Sequence, residues 1–145
     1  MKRKTELFRD IDASAEMKEE EAALLFLTPL IQTAWVCGAV SPREKQLIFE
    51  AAREDGIDER HQFNDLIDEW LSYQPSSQYF DHCLDLINVS LENRTVKERT
   101  AAKRKMLDRC HRVASSAGGR SLMDIDHGIS EAEKHFLGRL TEVLA

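Results

Sequence analysis

Glycine and proline are scarce in this sequence, with six glycines and three prolines among 145 residues. Long stretches therefore lack the residues that most often interrupt regular structure, and this favours helices over many short strands. Hydrophobic residues make up 42% of the chain and charged residues 32%, a balance too apolar for a disordered protein. A globular chain of this length forms one domain and buries roughly two-thirds of its unfolded surface.

Signals for an oxidising compartment or a membrane are missing. The three cysteines, Cys37, Cys83 and Cys110, are widely spaced and form no C-x-x-C pair, which argues against a disulfide framework. No apolar signal core follows the basic first residues, and the apolar run from Ala22 to Val36 is too short and too interrupted to span a bilayer. A net charge of −6 disfavours nonspecific nucleic-acid binding. We expect a cytoplasmic protein that contacts membranes only peripherally, if at all.

Motifs of common enzymes are also missing. The sequence has no glycine-rich phosphate loop, no G-x-S-x-G elbow and no H-E-x-x-H pair, and its five histidines are scattered singly. We therefore predict a protein that binds rather than catalyses. A hydrolase-like or redox activity has no motif to support it.

The hydrophobic periodicity predicts an all-α fold. We expect a single bundle of six to seven helices over residues 16–145, preceded by an arm or short helix at residues 1–15. The stretch from Glu16 to Cys37 is apolar on most sides, which is typical of a helix at the centre of a bundle. Within it, either Pro29 kinks the helix or Thr28 caps a new helix that has Pro29 in its first turn.

Capping signals predict where the other helices begin and end. Capping boxes at Ser41–Glu44 and Thr95–Glu98 each open a helix, and Gly56 should end the first of these. Asp58 should cap a helix that runs to about Tyr73. The remaining helices are expected at about residues 78–92, 95–115 and 130–144.

An internal repeat relates two of the predicted loops. The segment from Cys37 to Lys45 aligns without a gap on the segment from Asp126 to Lys134, with a branched aliphatic residue, Ser, Glu and Lys at matching positions. Each copy follows one helix and opens another, so we interpret the pair as two helix–loop–helix units. The alternative is that two capping boxes coincide by chance.

The two loops carry a resemblance to a known family. They read Trp35-Val36-Cys37-Gly38-Ala39-Val40-Ser41-Pro42-Arg43-Glu44 and Asp126-His127-Gly128-Ile129-Ser130-Glu131-Ala132-Glu133. This resembles the A-D-G-x-(V/I)-S-x-x-E motif that occurs twice in the TerB-like family of tellurite-resistance proteins, whose domain also occurs in the co-chaperone DjlA. The resemblance implies an all-helical bundle, acidic loops that bind a divalent metal, and a role in tellurite resistance or stress response. Cys37 departs from the motif at the aspartate of the first loop, and Gly128 lies one place later than the family's glycine.

The second loop is the densest cluster of oxygen ligands in the chain. Its candidate metal ligands are Asp126 and Glu133, supported by Asp124 and Glu131, with Glu44 as a weaker candidate in the first loop. Carboxylates suit Ca²⁺ best, and Zn²⁺ or Mg²⁺ less well. The alternative is that Ser130 and Glu133 form only a capping box. A zinc site at His82-Cys83 and Cys110-His111 is disfavoured, because neighbouring helical residues point about 100° apart.

The helix predicted after Thr95 is basic within an acidic protein. Its central residues Lys103, Arg104, Lys105 and Arg109 form a candidate docking site for an acidic partner or an anionic membrane surface. The alternative is a solvated face paired with acidic neighbours such as those at 19–21. We therefore hypothesise a TerB-like, metal-responsive or protein-interaction module with a protein partner. A metal-free structural adaptor that docks through the basic helix is the second hypothesis.

Overall fold

The computed structural model describes residues 19–36, 38–117 and 131–144, and in these residues the chain is all-α, as the sequence predicts. Seven helices occur in the described part: α1 (Glu19–Leu25), α2 (Thr28–Trp35), α3 (Pro42–Glu54), α4 (Gln62–Ser72), α5 (Ser77–Glu92), α6 (Val96–Ala117) and α7 (Glu131–Leu144). The arm predicted at residues 1–15 lies outside the described residues, as do most of the second loop and Cys37.

The long apolar segment at the start of the described chain forms two helices rather than one. Helix α1 ends at Leu25, and α2 begins at Thr28 with Pro29 in its first turn, where the missing N–H of proline is not needed. The interpretation that Pro29 starts a new helix is therefore confirmed, but the capping role given to Thr28 is wrong. The Thr28 hydroxyl donates instead to the carbonyl of Leu25 at 2.7 Å, because it is buried between the two helices.

Both ends of α3 follow the sequence prediction. At its start, Ser41 and Glu44 form the predicted capping box, and at its end Gly56 adopts a φ of 97°. The Ile57 N–H donates to the Ala52 carbonyl at 2.8 Å, and the Gly56 N–H donates to the Arg53 carbonyl at 3.1 Å. This pair of bonds is a Schellman motif, which needs the left-handed backbone that glycine adopts without steric cost.

Helix α4 begins later than predicted, because Asp58 does not cap it. The Asp58 side chain instead accepts from the Arg60 N–H at 2.9 Å and stabilises a turn that precedes the helix. The cap is His61, whose Nδ1 accepts from the Phe63 N–H at 3.0 Å. The helix then ends at Ser72, close to the predicted end.

Helix α2 lies at the centre of the bundle and contacts α3, α5, α6 and α7. Its residues Leu30, Ile31 and Ala34 are fully buried, as expected for a helix that is apolar on most sides. The long helix α6 packs against α2, α3 and α7, and it contributes Met106 and Cys110 to the same core. Each large apolar side chain buried in this way contributes about 1.5–3 kcal/mol. The core holds α3, α6 and α7 in the positions that create the candidate site.

Candidate functional site at the two ends of α3

The first feature of interest is the burial of Glu44 at the start of α3. The Ser41 N–H donates to Glu44 Oε1 at 2.7 Å, and the Glu44 N–H donates to Ser41 Oγ at 3.1 Å. Most capping-box glutamates are solvated, but the Glu44 side chain is only 1% exposed. Its second oxygen, Oε2, has no hydrogen-bond partner among the residues that the structure describes. A polar atom in this position is costly unless a further group binds it.

The second feature is another buried carboxylate, Glu133 in the first turn of α7, whose charge acts on Glu44. Glu133 is 0% exposed. Burial raises the pKa of Glu44, hydrogen bonds from Ser41 oppose this rise, and the negative charge of Glu133 raises the pKa further. The fold therefore brings together two buried carboxylates that the sequence placed in separate loops. Glu44 and Glu133 also occupy the same position in the two copies of the repeat.

Of the other predicted ligands of the second loop, only Glu131 lies in the described residues, and it does not join this pair. The Glu131 side chain is 93% exposed, and its Oε1 lies 3.8 Å from Lys134 Nζ. Asp124 and Asp126 lie outside the described residues. Within residues 19–36, 38–117 and 131–144, no group of three or more His, Cys, Asp or Glu side chains could hold a metal ion. The described site therefore consists of two carboxylates, Glu44 and Glu133.

The cysteines that the structure describes, Cys83 and Cys110, are buried. Burial raises the pKa of Cys83 and of Cys110 to about 12, although hydrogen bonds with Thr28 and Thr33 lower each pKa in part. Zinc binds the thiolate form, so a raised thiol pKa disfavours zinc binding. His111 is exposed whereas Cys110 is fully buried, so the two side chains point into different surroundings. Both cysteines act as small core residues.

At the other end of α3, Asp55 anchors a network of ion pairs to α6. Asp55 Oδ2 lies 2.7 Å from Arg109 Nη1, and Asp55 Oδ1 lies 3.1 Å from Lys105 Nζ. Glu54 adds a contact of 3.1 Å between its Oε1 and Arg109 Nη2. The side chains of Arg109 and Asp55 are only 12% and 16% exposed. Burial favours a raised pKa for Asp55, but the hydrogen bonds and charges of Arg109 and Lys105 outweigh it and lower the pKa.

This network divides the predicted docking residues of α6 into two pairs. Lys105 and Arg109 are bound to the end of α3, and not to the acidic residues 19–21 that the sequence suggested as partners. Lys103 is half-buried and Arg104 is exposed, and neither makes an ion pair with a residue in the described ranges. The docking cluster as predicted is therefore not one continuous free surface.

The fold and the site together define an all-α helical bundle with a buried carboxylate pair and a basic helix. Comparisons with protein-family models, with curated proteins and with solved structures found no match to this chain. The resemblance to the TerB-like family accordingly stays a prediction. Among the described helices, none is both long enough and apolar enough to cross a membrane.

Proposed function

We propose that this chain is a non-catalytic module that responds to a divalent cation bound between Glu44 and Glu133. The observation that carries the proposal is the buried Oε2 atom of Glu44, which has no hydrogen-bond partner in the described residues. A second buried carboxylate, Glu133, acts on Glu44 through its charge. Two carboxylates that share a buried site repel each other when both are ionised. A divalent cation would neutralise both charges and bind Glu44 Oε2.

The chemistry of the donor set fits a hard cation. Ca²⁺ accepts six to eight oxygen ligands from carboxylates, carbonyls and water, and Mg²⁺ commonly keeps several waters beside one or two carboxylates. Glu44 and Glu133 would supply the carboxylate oxygens from two different helices. Asp124 and Asp126 are the candidates for further ligands, since they precede α7 in the sequence. Zn²⁺ is less suitable because no histidine or thiolate accompanies the pair in the described part of the chain.

A bound cation would act on the fold as well as on the charges. Glu44 belongs to the first turn of α3 and Glu133 to the first turn of α7, so one ion would link the starts of the second helices of both repeat units. Because a ligand that binds only the native state raises its stability, cation concentration would control how tightly α7 is held. This is the physical basis of the proposed response.

The test is a thermal melt of chelator-treated protein with and without Ca²⁺, Mg²⁺, Mn²⁺ or Zn²⁺. A cation at about 100 times its dissociation constant should stabilise the protein by about 2.7 kcal/mol, which raises the melting temperature by several degrees. Glu44→Gln and Glu133→Gln should each remove the shift. Glu50→Gln is the matched control, because Glu50 lies on the exposed face of α3. No shift with any ion, or an equal shift in Glu44→Gln, would contradict the proposal.

A second candidate function is a metal-free adaptor that docks a partner through α6. The observation in its favour is charge: α6 contains seven lysines and arginines and two acidic residues, within a chain whose net charge is −6. In this case the carboxylate pair has only a structural role. The link to tellurite resistance or stress response that the family resemblance implies would apply to either candidate, and it stays a prediction.

A further inference from the structure

The outward face of α6 carries a line of exposed residues along most of its length. Lys97, Ala101, Arg104, Asp108 and Arg112 follow one another at intervals of four, three, four and four residues, which places them on one side of an α-helix. All five side chains are exposed. We name this line the α6 ridge.

The cations of the α6 ridge differ from those on the inner flank of the same helix. Lys105 and Arg109 are bound to Asp55 and Glu54, so their charge is largely neutralised within the protein. Lys97, Arg104 and Arg112 make no ion pair within 4.0 Å of any residue in the described ranges. Their charge is therefore available to a partner.

The surface of the α6 ridge also has a shape that can receive side chains. A shallow depression of about 600 Å³ is centred on the first part of the ridge. The residues that line it are Lys97, Thr100, Ala101, Arg104, Lys105 and Asp108. The small side chain of Ala101 lies between Lys97 and Arg104, which leaves room for a carboxylate-bearing side chain between two cations.

We propose that the α6 ridge is a docking surface for an acidic segment of a partner protein. The order of charges along it is positive at Lys97 and Arg104, negative at Asp108 and positive at Arg112. A complementary segment presents carboxylates opposite the three cations and a basic or neutral residue opposite Asp108. Such alternation selects a segment with a particular spacing of charges, since like charges placed opposite each other are disfavoured.

A protein segment fits the α6 ridge better than a lipid surface. An interfacial helix inserts large apolar side chains below the headgroups, but the ridge has none. Val96 is exposed, but it precedes Lys97 and therefore points about 100° away from the ridge. On a lipid surface, Asp108 would also face a continuous sheet of anionic headgroups, which would repel its negative charge. This proposal rests on the second candidate function and does not depend on the cation site.

The experiment measures fluorescence anisotropy of a fluorescein-labelled polyglutamate peptide of about twenty residues with the full chain at low salt. Arg104→Glu should weaken binding about tenfold, because it replaces a central cation by an anion. Asp108→Lys should strengthen binding severalfold. The matched control is Arg53→Glu, which makes the same change in net charge on α3, where the Arg53 side chain is 60% exposed. This control should change affinity by less than about twofold.

Four outcomes would overturn the proposal. Equal weakening by Arg104→Glu and Arg53→Glu would mean that only net charge matters. Phosphatidylserine vesicles that bind the chain when the peptide does not would make the ridge a lipid surface. A molecular mass that doubles as protein concentration rises, together with loss of peptide binding, would mean that the ridge binds a second copy of the chain. Absence of peptide binding at low salt would mean that the ridge does not bind an acidic segment. Glu44→Gln, which alters the proposed cation site, should bind the peptide like the unmodified chain. Failure of the cation-site proposal is therefore distinguishable from failure of the α6 ridge proposal.

Discussion

Two largely buried carboxylates mark the two ends of α3, Glu44 in its first turn and Asp55 directly after its last residue, and their surroundings are opposite. Burial raises the pKa of Glu44, at the start, and the negative charge of Glu133 raises it further. Asp55, at the end, lies between the cations of Lys105 and Arg109, and its pKa is lowered. The helix dipole predicts the reverse, because it favours a negative charge at the start of a helix and disfavours one at the end.

Burial, hydrogen bonds and nearby charges, rather than the helix dipole, account for the directions of the two pKa shifts. The helix dipole contributes about 0.3–1 kcal/mol near a helix terminus. Burial beside a like charge, or beside a cation held by hydrogen bonds, changes the free energy of ionisation by more than this. Local sequence rules place Glu44 in the first turn of α3 and Asp55 directly after its last residue, but burial and charges from other helices determine whether each carboxylate is stabilised as an anion.

The largest effect on stability is expected when the ion pairs between Arg109 and the end of α3 are removed. Arg109→Ala leaves Asp55 without its closest cation and removes the contact with Glu54. Breaking a fully buried pair costs about 3–5 kcal/mol, and since this pair is partly exposed we expect a loss of about 2 kcal/mol. Urea denaturation would measure the free energy of unfolding, and a thermal melt should show a fall of roughly 5 °C.

Lys105→Ala is the matched control for this prediction. Lys105 contacts the same carboxylate, but its side chain is 59% exposed, so solvent screens the interaction and the loss should stay below about 0.5 kcal/mol. If Lys105→Ala costs as much as Arg109→Ala, the stability of this end does not come from the burial of the arginine.

Most of the fold was predictable because it depends on local signals. The capping box of Ser41 and Glu44 and the stop at Gly56 are encoded within a few residues, and the structure confirms both. The start of α4 was predicted wrongly because Asp58 and His61 can both cap, and the turn that Asp58 forms leaves His61 at the helix start. The break between α1 and α2 was open in the sequence because a proline either kinks a helix or begins one.

The candidate site was predictable only in part, because it depends on contacts between distant residues. The sequence marked Glu44 and Glu133 as ligands of separate loops, and only packing brings them together. It marked Lys105 and Arg109 as docking residues, but they are separated by about fifty residues from Asp55, which binds both. Charge alone does not distinguish a cation that stabilises the fold from one that is available to a partner.

A smaller effect on stability, of opposite sign, is expected at the start of α3, where Glu44 lies. Glu44→Gln keeps an oxygen for the Ser41 N–H but removes a negative charge near Glu133, so it should leave the cation-free protein equally stable or stabilise it by about 1 kcal/mol at pH 8. Urea denaturation in the presence of chelator would measure this. Glu44→Ala, which loses the cap as well, should instead destabilise by about 1 kcal/mol. A loss of more than 1 kcal/mol in Glu44→Gln would mean that the anion of Glu44 is stabilised where it lies, and the contrast between the ends of α3 would disappear.

The smallest effects are the changes of stability with pH, and their signs should differ between the two ends. Glu44 binds its proton more tightly in the folded state than in the unfolded state. Its stabilising contribution to the free energy of unfolding is therefore present below pH 4.5 and is lost as pH rises through the raised pKa. Asp55 binds its proton less tightly when folded, so its contribution is present above pH 3.8 and is lost as pH falls through the lowered pKa.

Urea denaturation across the pH range, with chelator present, would separate the two signs. The advantage of Glu44→Gln over the unmodified chain should shrink to nothing as pH falls from 8 towards 4.5, while the deficit of Arg109→Ala should stay constant over that range and narrow only below pH 3.8. The quantity to compare is the free energy of unfolding of each variant minus that of the unmodified chain, which should fall for Glu44→Gln and rise for Arg109→Ala as the pH falls. If both quantities change in the same direction, one general effect of net charge governs both carboxylates. Opposite changes would show that burial at the start of α3 and the cations of α6 beyond its end set the ionisation of the two carboxylates independently.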